Sequence, residues 1–161
     1  MMPYATNQSV RIHYRVEGEG PTLVLQHGFT WNMEGWSRHG YVEALRPHYR
    51  LILMDARGHG ASDKPHDSAA YDLPLRVGDV VTVLDALDVH TAHFWGYSMG
   101  GWIGFGLAKV CAGASSRTDY WRCTSVRTAL ATLRSSRWVR SQGICRSPPC
   151  ATGSRLRNVI A

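Results

Sequence analysis

The stretch AHFWGYSMGG, residues 92–101, decides how this sequence is interpreted. A short apolar run leads into five residues that fit the pattern G-x-S-x-G: Gly96, Tyr97, Ser98, Met99 and Gly100. Two glycines at this spacing let a strand turn sharply into a helix, so the serine sits strained with its hydroxyl exposed. The N–H that follows the serine then points to where an oxyanion forms. The stretch predicts a nucleophile at Ser98 and an oxyanion donor at Met99.

Two other motifs precede this one, each directly after a short apolar run. TLVLQ (22–26) is followed by His27-Gly28-Phe29, and RLILM (50–54) is followed by the glycine-rich loop DARGHGAS (55–62). Short apolar runs of this kind are typical of buried strands. G-x-S-x-G alone also arises by chance in a small-residue turn. The other two motifs therefore provide much of the evidence that Ser98 is a nucleophile.

The remaining segments before residue 110 alternate between strand and helix patterns. SVRIHYRV (9–16) alternates in period two, and YVEAL (41–45) predicts a short helix that Pro47 ends. A longer helix follows Asp72, which is the expected N-cap. In that helix Asp79 and Asp85 fall between the apolar positions, which predicts a solvated face. This alternation predicts an α/β fold, a mostly parallel sheet with flanking helices.

Three motifs in this order, each at a strand end, resemble the α/β-hydrolase fold family over roughly residues 9–110. In this family the turn that carries the nucleophile, here Gly96 to Gly100, is called the nucleophile elbow. Relatives with aspartate in place of the serine at this elbow include epoxide hydrolases and haloalkane dehalogenases. Ser98 instead resembles the esterase, lactonase, thioesterase, C–C hydrolase and cofactor-free haloperoxidase branches. The resemblance implies acyl transfer through a covalent acyl-enzyme on a small ester-like substrate, with no metal and no cofactor.

The same resemblance assigns roles to individual residues. The backbone N–H groups of Phe29 and Met99 form the implied oxyanion hole. Elbow and loop support is implied for Gly96, Gly100, His27 and Gly28, and loop fixing for Arg57 and His59. The tryptophans leave alternatives open: Trp31 and Trp36 either line a pocket or pack near the elbow, whereas Trp95 and Trp102 are expected in the core.

The family's triad runs Ser, Asp or Glu, then His along the chain. All eight histidines of this sequence precede Ser98, and Asp119 is the only acid after it. Neither His27 nor His93 is expected above Ser98 as a substitute base. The fold is therefore expected to be truncated after the nucleophile-elbow helix, and the chain to be inactive as written.

Composition changes abruptly near Val110. Residues 1–110 carry 9 Lys/Arg against 11 Asp/Glu, whereas residues 111–161 carry 9 Arg against one Asp, together with all four cysteines. We interpret 1–110 as the N-terminal part of a hydrolase domain and 111–161 as a disordered, frameshifted tail. An amphipathic basic helix and an evolved arginine-rich arm are the alternatives.

The frameshift interpretation rests on what the other frame can encode. Dropping the first nucleotide of codon 110 allows YAPERVHALIIGG, a helix end followed by an apolar strand. The codons of Asp119-Tyr120-Trp121 then force Ile or Thr, Ile or Thr, and Gly. If no neighbouring strand forms, residues 91–96 become an unpaired edge. The elbow helix then loses cover at Trp102, Ile103, Phe105 and Leu107.

Composition also bounds the class of protein. No apolar run approaches the ~20 residues that cross a membrane, and the N-terminus lacks a signal-peptide pattern, so a cytoplasmic location is expected. Nucleic acid is not expected as a partner, because the basic excess belongs to the tail alone. A noncatalytic binding protein that uses this tail on anionic partners is the alternative function, and a hydrolase completed by dimerisation is a third. Substrate identity and oligomeric state do not follow from the sequence.

Overall fold

A computed structural model describes residues 3–112 and 126–128, and in these residues the chain forms one six-stranded sheet. The strand order is β1-β2-β4-β3-β5-β6. The strands are β1 (Tyr4–Asn7), β2 (Val10–Glu17), β3 (Thr22–Gln26), β4 (Arg50–Met54), β5 (Ala92–Gly96) and β6 (Val126–Thr128). The expected strands at 9–16, 22–26, 50–54 and 92–95 are thus confirmed to within a residue.

The central part of the sheet is parallel, as the sequence predicted. β3 pairs in parallel with β4 on one side and with β5 on the other, and β5 pairs in parallel with β6. The pairs β1–β2 and β2–β4 are antiparallel. After β3 the chain moves to one side of the sheet, and after β5 it moves to the other. The carboxyl ends of β3 and β5 therefore flank a topological switch point, where open α/β sheets bind their ligands.

Helices cover both faces of the sheet. They are α1 (Glu34–Arg38), α2 (Tyr41–Leu45), α3 (Leu73–Ala86) and α4 (Met99–Ala112), with a 3₁₀ turn at Ser68–Tyr71. Alternate residues of β3 lie on opposite faces of the sheet. Val24 packs in the core with α3 and α4, whereas Leu23 and Leu25 pack in the core with α1 and α2. This period-two division is what a strand buried on both faces requires.

Of two expectations about α3, the position of the N-cap is confirmed and the solvated face at Asp79 is wrong. Asp72 occupies the N-cap position, but its side chain makes no capping hydrogen bond. Asp79 does not lie on a solvated face; it is buried, because it pairs with Arg57 from the loop after β4. Asp85, in contrast, is exposed as expected.

Trp102 on α4 was expected in the core, and this expectation is also wrong. Its side chain is 48% exposed, and Phe105, one turn further along the helix, is 58% exposed. Ile103 and Leu107 of the same helix are buried in the core. The apolar stripe of α4 is therefore wider than the face that the sheet covers.

A short strand after α4 supplies the neighbour that β5 needs, so the condition for an unpaired edge is not met. β6 pairs with β5 through the registers Ala92↔Val126, His93↔Arg127 and Phe94↔Thr128. The sheet thus continues past the elbow helix by one short strand, and β5 is not an unpaired edge over residues 92–94. The other expectations for 113–125 and 129–161, including disorder, lie outside the described residues. Within the described part, no helix is both long and apolar enough to cross a membrane.

Candidate active site

Ser98 lies at the carboxyl end of β5, immediately before α4, in the conformation that the sequence predicted. Its φ is +51°, in the left-handed region that non-glycine residues rarely adopt, and the residue is exposed. Such strain is found where a turn serves function. The sequence pattern therefore located both the strain and the exposure of this serine.

Close packing explains the two glycines that flank the serine. A Cβ at Gly96 would lie 2.2 Å from the carbonyl carbon of Gly100, and a Cβ at Gly100 would lie 2.2 Å from the backbone oxygen of Gln26. Both contacts are to backbone, which cannot move aside. The elbow is also tied to β3, because the Tyr97 N–H donates to Gln26 O at 3.0 Å. These contacts fix the start of α4 against the end of β3.

The loop after β3 lies beside the serine. A Cβ at Gly28 would come within 3.3 Å of Ser98 Cβ and 2.8 Å of the Tyr97 ring, so glycine permits this approach. A turn follows, in which the Trp31 N–H donates to Gly28 O at 3.1 Å. Among the described residues, no protein acceptor takes the N–H of Phe29 or of Met99. Two N–H groups of neighbouring segments therefore have no acceptor within this part of the chain.

His27 forms hydrogen bonds to this loop and to the loop after β4. Its Nδ1 donates to Gly28 O at 2.7 Å, and its Nε2 accepts the Ala56 N–H at 3.0 Å. Both ring nitrogens are therefore occupied in one tautomer of the neutral ring. Burial lowers the pKa of His27, and the neighbouring His59 lowers it further. Because C=O and N–H of a trans peptide point in opposite directions, the bond to Gly28 O turns the Phe29 N–H away from His27.

Arg57 ties the loop after β4 to α3. Its Nε donates to Asp79 Oδ2 at 2.7 Å and its Nη2 to Asp79 Oδ1 at 2.5 Å, while Nη1 donates to Ala70 O. Asn7 of β1 also donates to Asp79 Oδ1, at 2.8 Å. The expected loop-fixing role of Arg57 agrees with these contacts. Sequence periodicity missed the pair because its partners are 22 residues apart.

Asp55 is an organising residue that the sequence identified only as the end of a strand. Its buried carboxylate accepts hydrogen bonds from Met33 N at 2.8 Å, Ala61 N at 3.0 Å and the His13 ring at 3.0 Å. A Cβ at Gly60 would lie 2.1 Å from this carboxyl group, and Gly60 has a φ of +50°. The glycine after His59 is the signal that could have pointed to such a close approach.

Several aromatic rings lie beside the turn that carries Ser98. Trp31 stacks on Tyr97 with ring centroids 5.1 Å apart, and His39 stacks on Trp31 at 4.7 Å. Phe29 is 67% exposed. Trp36 is instead buried against Trp95, which favours the packing alternative for Trp36 and partial burial for Trp95. Trp31 is thus the tryptophan of this pair that lies near Ser98.

No side chain in the described ranges hydrogen-bonds the Ser98 hydroxyl. His27 is occupied, and His93 lies near the start of β5, with roughly 10 Å of strand between it and Gly96 at ~3.3 Å per residue. Within the described residues there is also no cluster of three or more His, Cys, Asp or Glu side chains placed to hold a metal ion.

Comparison with known proteins gives a consistent result. Residues 21–110 match the family model described as alpha/beta hydrolase fold. The chain is 38% identical over 91 residues to a pimeloyl-[acyl-carrier protein] methyl ester esterase of Aeromonas salmonicida, covering 56% of this chain and 33% of that protein. It is 34% identical over 107 residues to mouse epoxide hydrolase 4, covering 65% of this chain and 29% of that protein.

A solved structure, described as Est816, an N-acyl homoserine lactone degrading enzyme, superposes with a TM-score of 0.59 at 39% identity. The match covers 66% of this chain and 40% of that one. The chain thus spans well under half the length of each of these three relatives.

Proposed function

This chain belongs to the α/β hydrolase fold family, and we propose that it carries the nucleophilic half of a serine hydrolase for ester, lactone or related acyl bonds. The observation that carries the proposal is Ser98, exposed in a left-handed conformation between two glycines that no other residue can replace without a backbone clash. Relatives of both the esterase and the epoxide hydrolase kind match. The serine at the elbow favours acyl transfer.

In the proposed reaction, Ser98 Oγ attacks the acyl carbon while a base takes the hydroxyl proton. The carbonyl oxygen becomes an oxyanion, which the N–H groups of Phe29 and Met99 stabilise by hydrogen bonds. Collapse of this intermediate breaks the bond to the leaving alcohol, which receives the proton. Water then hydrolyses the acyl-enzyme and regenerates Ser98.

The 161 residues contain no histidine after Ser98 that could act as this base. Loss of the serine or the base in a well-studied triad costs roughly 10⁶-fold in rate, or about 8 kcal/mol of barrier. An oxyanion hole alone still leaves some catalysis over water. We therefore expect a serine that reacts slowly with strong electrophiles and supports little turnover.

A fluorophosphonate probe tests the nucleophile, since it forms a stable bond to a reactive serine. Intact-mass analysis over hours is expected to show a single adduct, which peptide mapping places on Ser98. Ser98→Ala should abolish the adduct, whereas Ser68→Ala, at an exposed serine of the 3₁₀ turn, should retain it. An adduct that survives Ser98→Ala, or no adduct on the folded chain, would refute the proposed nucleophile.

The charge of the tail supports a second candidate, a noncatalytic protein that binds anionic partners. Residues 111–161 carry a net charge of +8, from 9 Arg and one Asp. Salt-sensitive retention on heparin that disappears when these arginines are replaced by glutamine would support this function. Retention unchanged by the replacement would eliminate it.

A further inference from the structure

His59 joins the loop after β4 to the loop that carries the Phe29 N–H. Its Nε2 lies 2.5 Å from Phe29 O, and its Nδ1 lies 3.1 Å from Arg57 O. The ring also packs edge-on against the Phe29 ring, with centroids 5.5 Å apart. One imidazole thus contacts the backbone of both loops.

Both partners of this ring are carbonyl oxygens, which only accept hydrogen bonds. A neutral imidazole has one N–H, so it donates to one of the two carbonyls and turns a lone pair toward the other. An imidazolium has two N–H groups and satisfies both. The geometry is therefore complete only when His59 is protonated.

We propose that His59 is a pH-responsive positioning residue, whose protonated ring bridges Phe29 to Arg57 and so holds the oxyanion loop against the loop after β4. When the ring loses a proton, it can donate to only one of the two carbonyls, so either Phe29 O or Arg57 O loses its hydrogen bond. This inference rests on the proposed oxyanion role of the Phe29 N–H, because Phe29 links that N–H to the carbonyl that His59 holds.

Charged groups near the ring belong to the same two loops. The His27 ring lies with its centroid 5.2 Å away, and burial lowers the pKa of His27, which favours its neutral form. The Arg57 guanidinium is engaged by Asp79, and Asp55 by its own three donors. Lys64 donates to Gly60 O at 2.7 Å. Each ring nitrogen of His59 thus faces a backbone carbonyl oxygen.

Nitrogen NMR of the full chain tests the bridge without turnover. Ring ¹⁵N shifts report the protonation of His59, and the amides of Thr30 and Gly58 belong to the peptides whose carbonyls it binds. We expect the shifts of both amides to change with pH in step with those of the His59 ring. Amides that stay fixed while His59 titrates would overturn the proposal.

Two variants separate this role from general loop stability. His59→Gln keeps a donor but cannot titrate, so the coupled shifts should disappear; His66→Gln, at an exposed histidine of the same loop, should retain them. Core amides such as that of Ile52 check folding. Coupled shifts that persist in His59→Gln would also refute the bridge.

Fluorophosphonate labelling provides the functional readout. The labelling rate of the wild-type chain relative to His59→Gln is expected to rise as the pH falls through the His59 midpoint. A ratio that stays constant with pH would overturn the positioning role. Coupled amide shifts on a folded chain whose Ser98 never reacts would support the bridge and refute the proposed hydrolase function.

Discussion

The backbone conformation of Ser98 could be predicted from the residues next to it in the sequence. The pattern G-x-S-x-G predicted a strained, exposed serine, and the φ of +51° and the exposure of Ser98 confirm both. The partners of His27 were not predictable in the same way, because Ala56 lies 29 residues away and only the sheet brings the two together. Local motifs specify their own geometry, whereas long-range hydrogen bonds require the fold.

His27 gives a prediction at this scale about pH. Because burial lowers its pKa in the folded state, the unfolded chain binds a proton below about pH 6.5 that the folded chain does not. Stability should therefore fall as the pH drops below about 6.5, by up to about 1.4 kcal/mol per pH unit from this residue. His27→Gln should reduce that slope in urea unfolding between pH 5 and 8.

The control for this prediction is His66→Gln, because His66 is exposed. Its slope should match that of the wild-type chain. If His27→Gln and the wild-type chain lose stability equally per pH unit, His27 is not the buried group responsible.

At the scale of elements, hydrophobic periodicity located the strands and helices that bury one or two faces. It predicted β2 to β5, α2 and α3, whose apolar residues repeat regularly. It missed β1 and α1, because their sequences YATN and EGWSR carry no regular apolar repeat. It also misplaced Trp102, because an apolar stripe shows which side of a helix is apolar but not how much of it a neighbour covers.

The pair between Arg57 and Asp79 gives a prediction about α3. Asp79→Asn leaves the buried Arg57 guanidinium without its counter-ion, which should cost about 3–5 kcal/mol. Urea unfolding measures the loss. Asp72→Ala is the matched control, since Asp72 is exposed and its side chain caps nothing, and it should change stability by less than about 0.5 kcal/mol. Equal losses in the two variants would contradict the importance of the pair.

For the whole molecule, sheet order explains why motifs separated by about 70 residues lie close together. His27 and Ser98 follow β3 and β5, which are neighbours in the sheet, so both motifs meet at one edge. The order of motifs along the chain was enough to predict this arrangement. β6 was not predicted, because the composition of the segment after Val110 carries no regular apolar pattern.

The gene provides a prediction about the segment after Val110. Removing one nucleotide near codon 110 should open a longer frame that encodes an Asp or Glu and later a His, in the order that the triad requires. Sequencing of the coding DNA checks this directly. Alternative frames that all stop within a few codons would eliminate the frameshift and favour an evolved tail.

The most direct test of the proposal that Ser98 is a nucleophile without a base is burst hydrolysis of p-nitrophenyl acetate with and without added imidazole. Without imidazole, the full chain should release nitrophenol hardly faster than its Ser98→Ala variant, because no histidine follows Ser98. Imidazole supplies a base in solution, so it should produce Ser98-dependent release beyond what it causes with Ser98→Ala. A fast burst without imidazole would show that this chain already holds a base, and a rate identical to Ser98→Ala at every imidazole concentration would show that Ser98 is not the nucleophile.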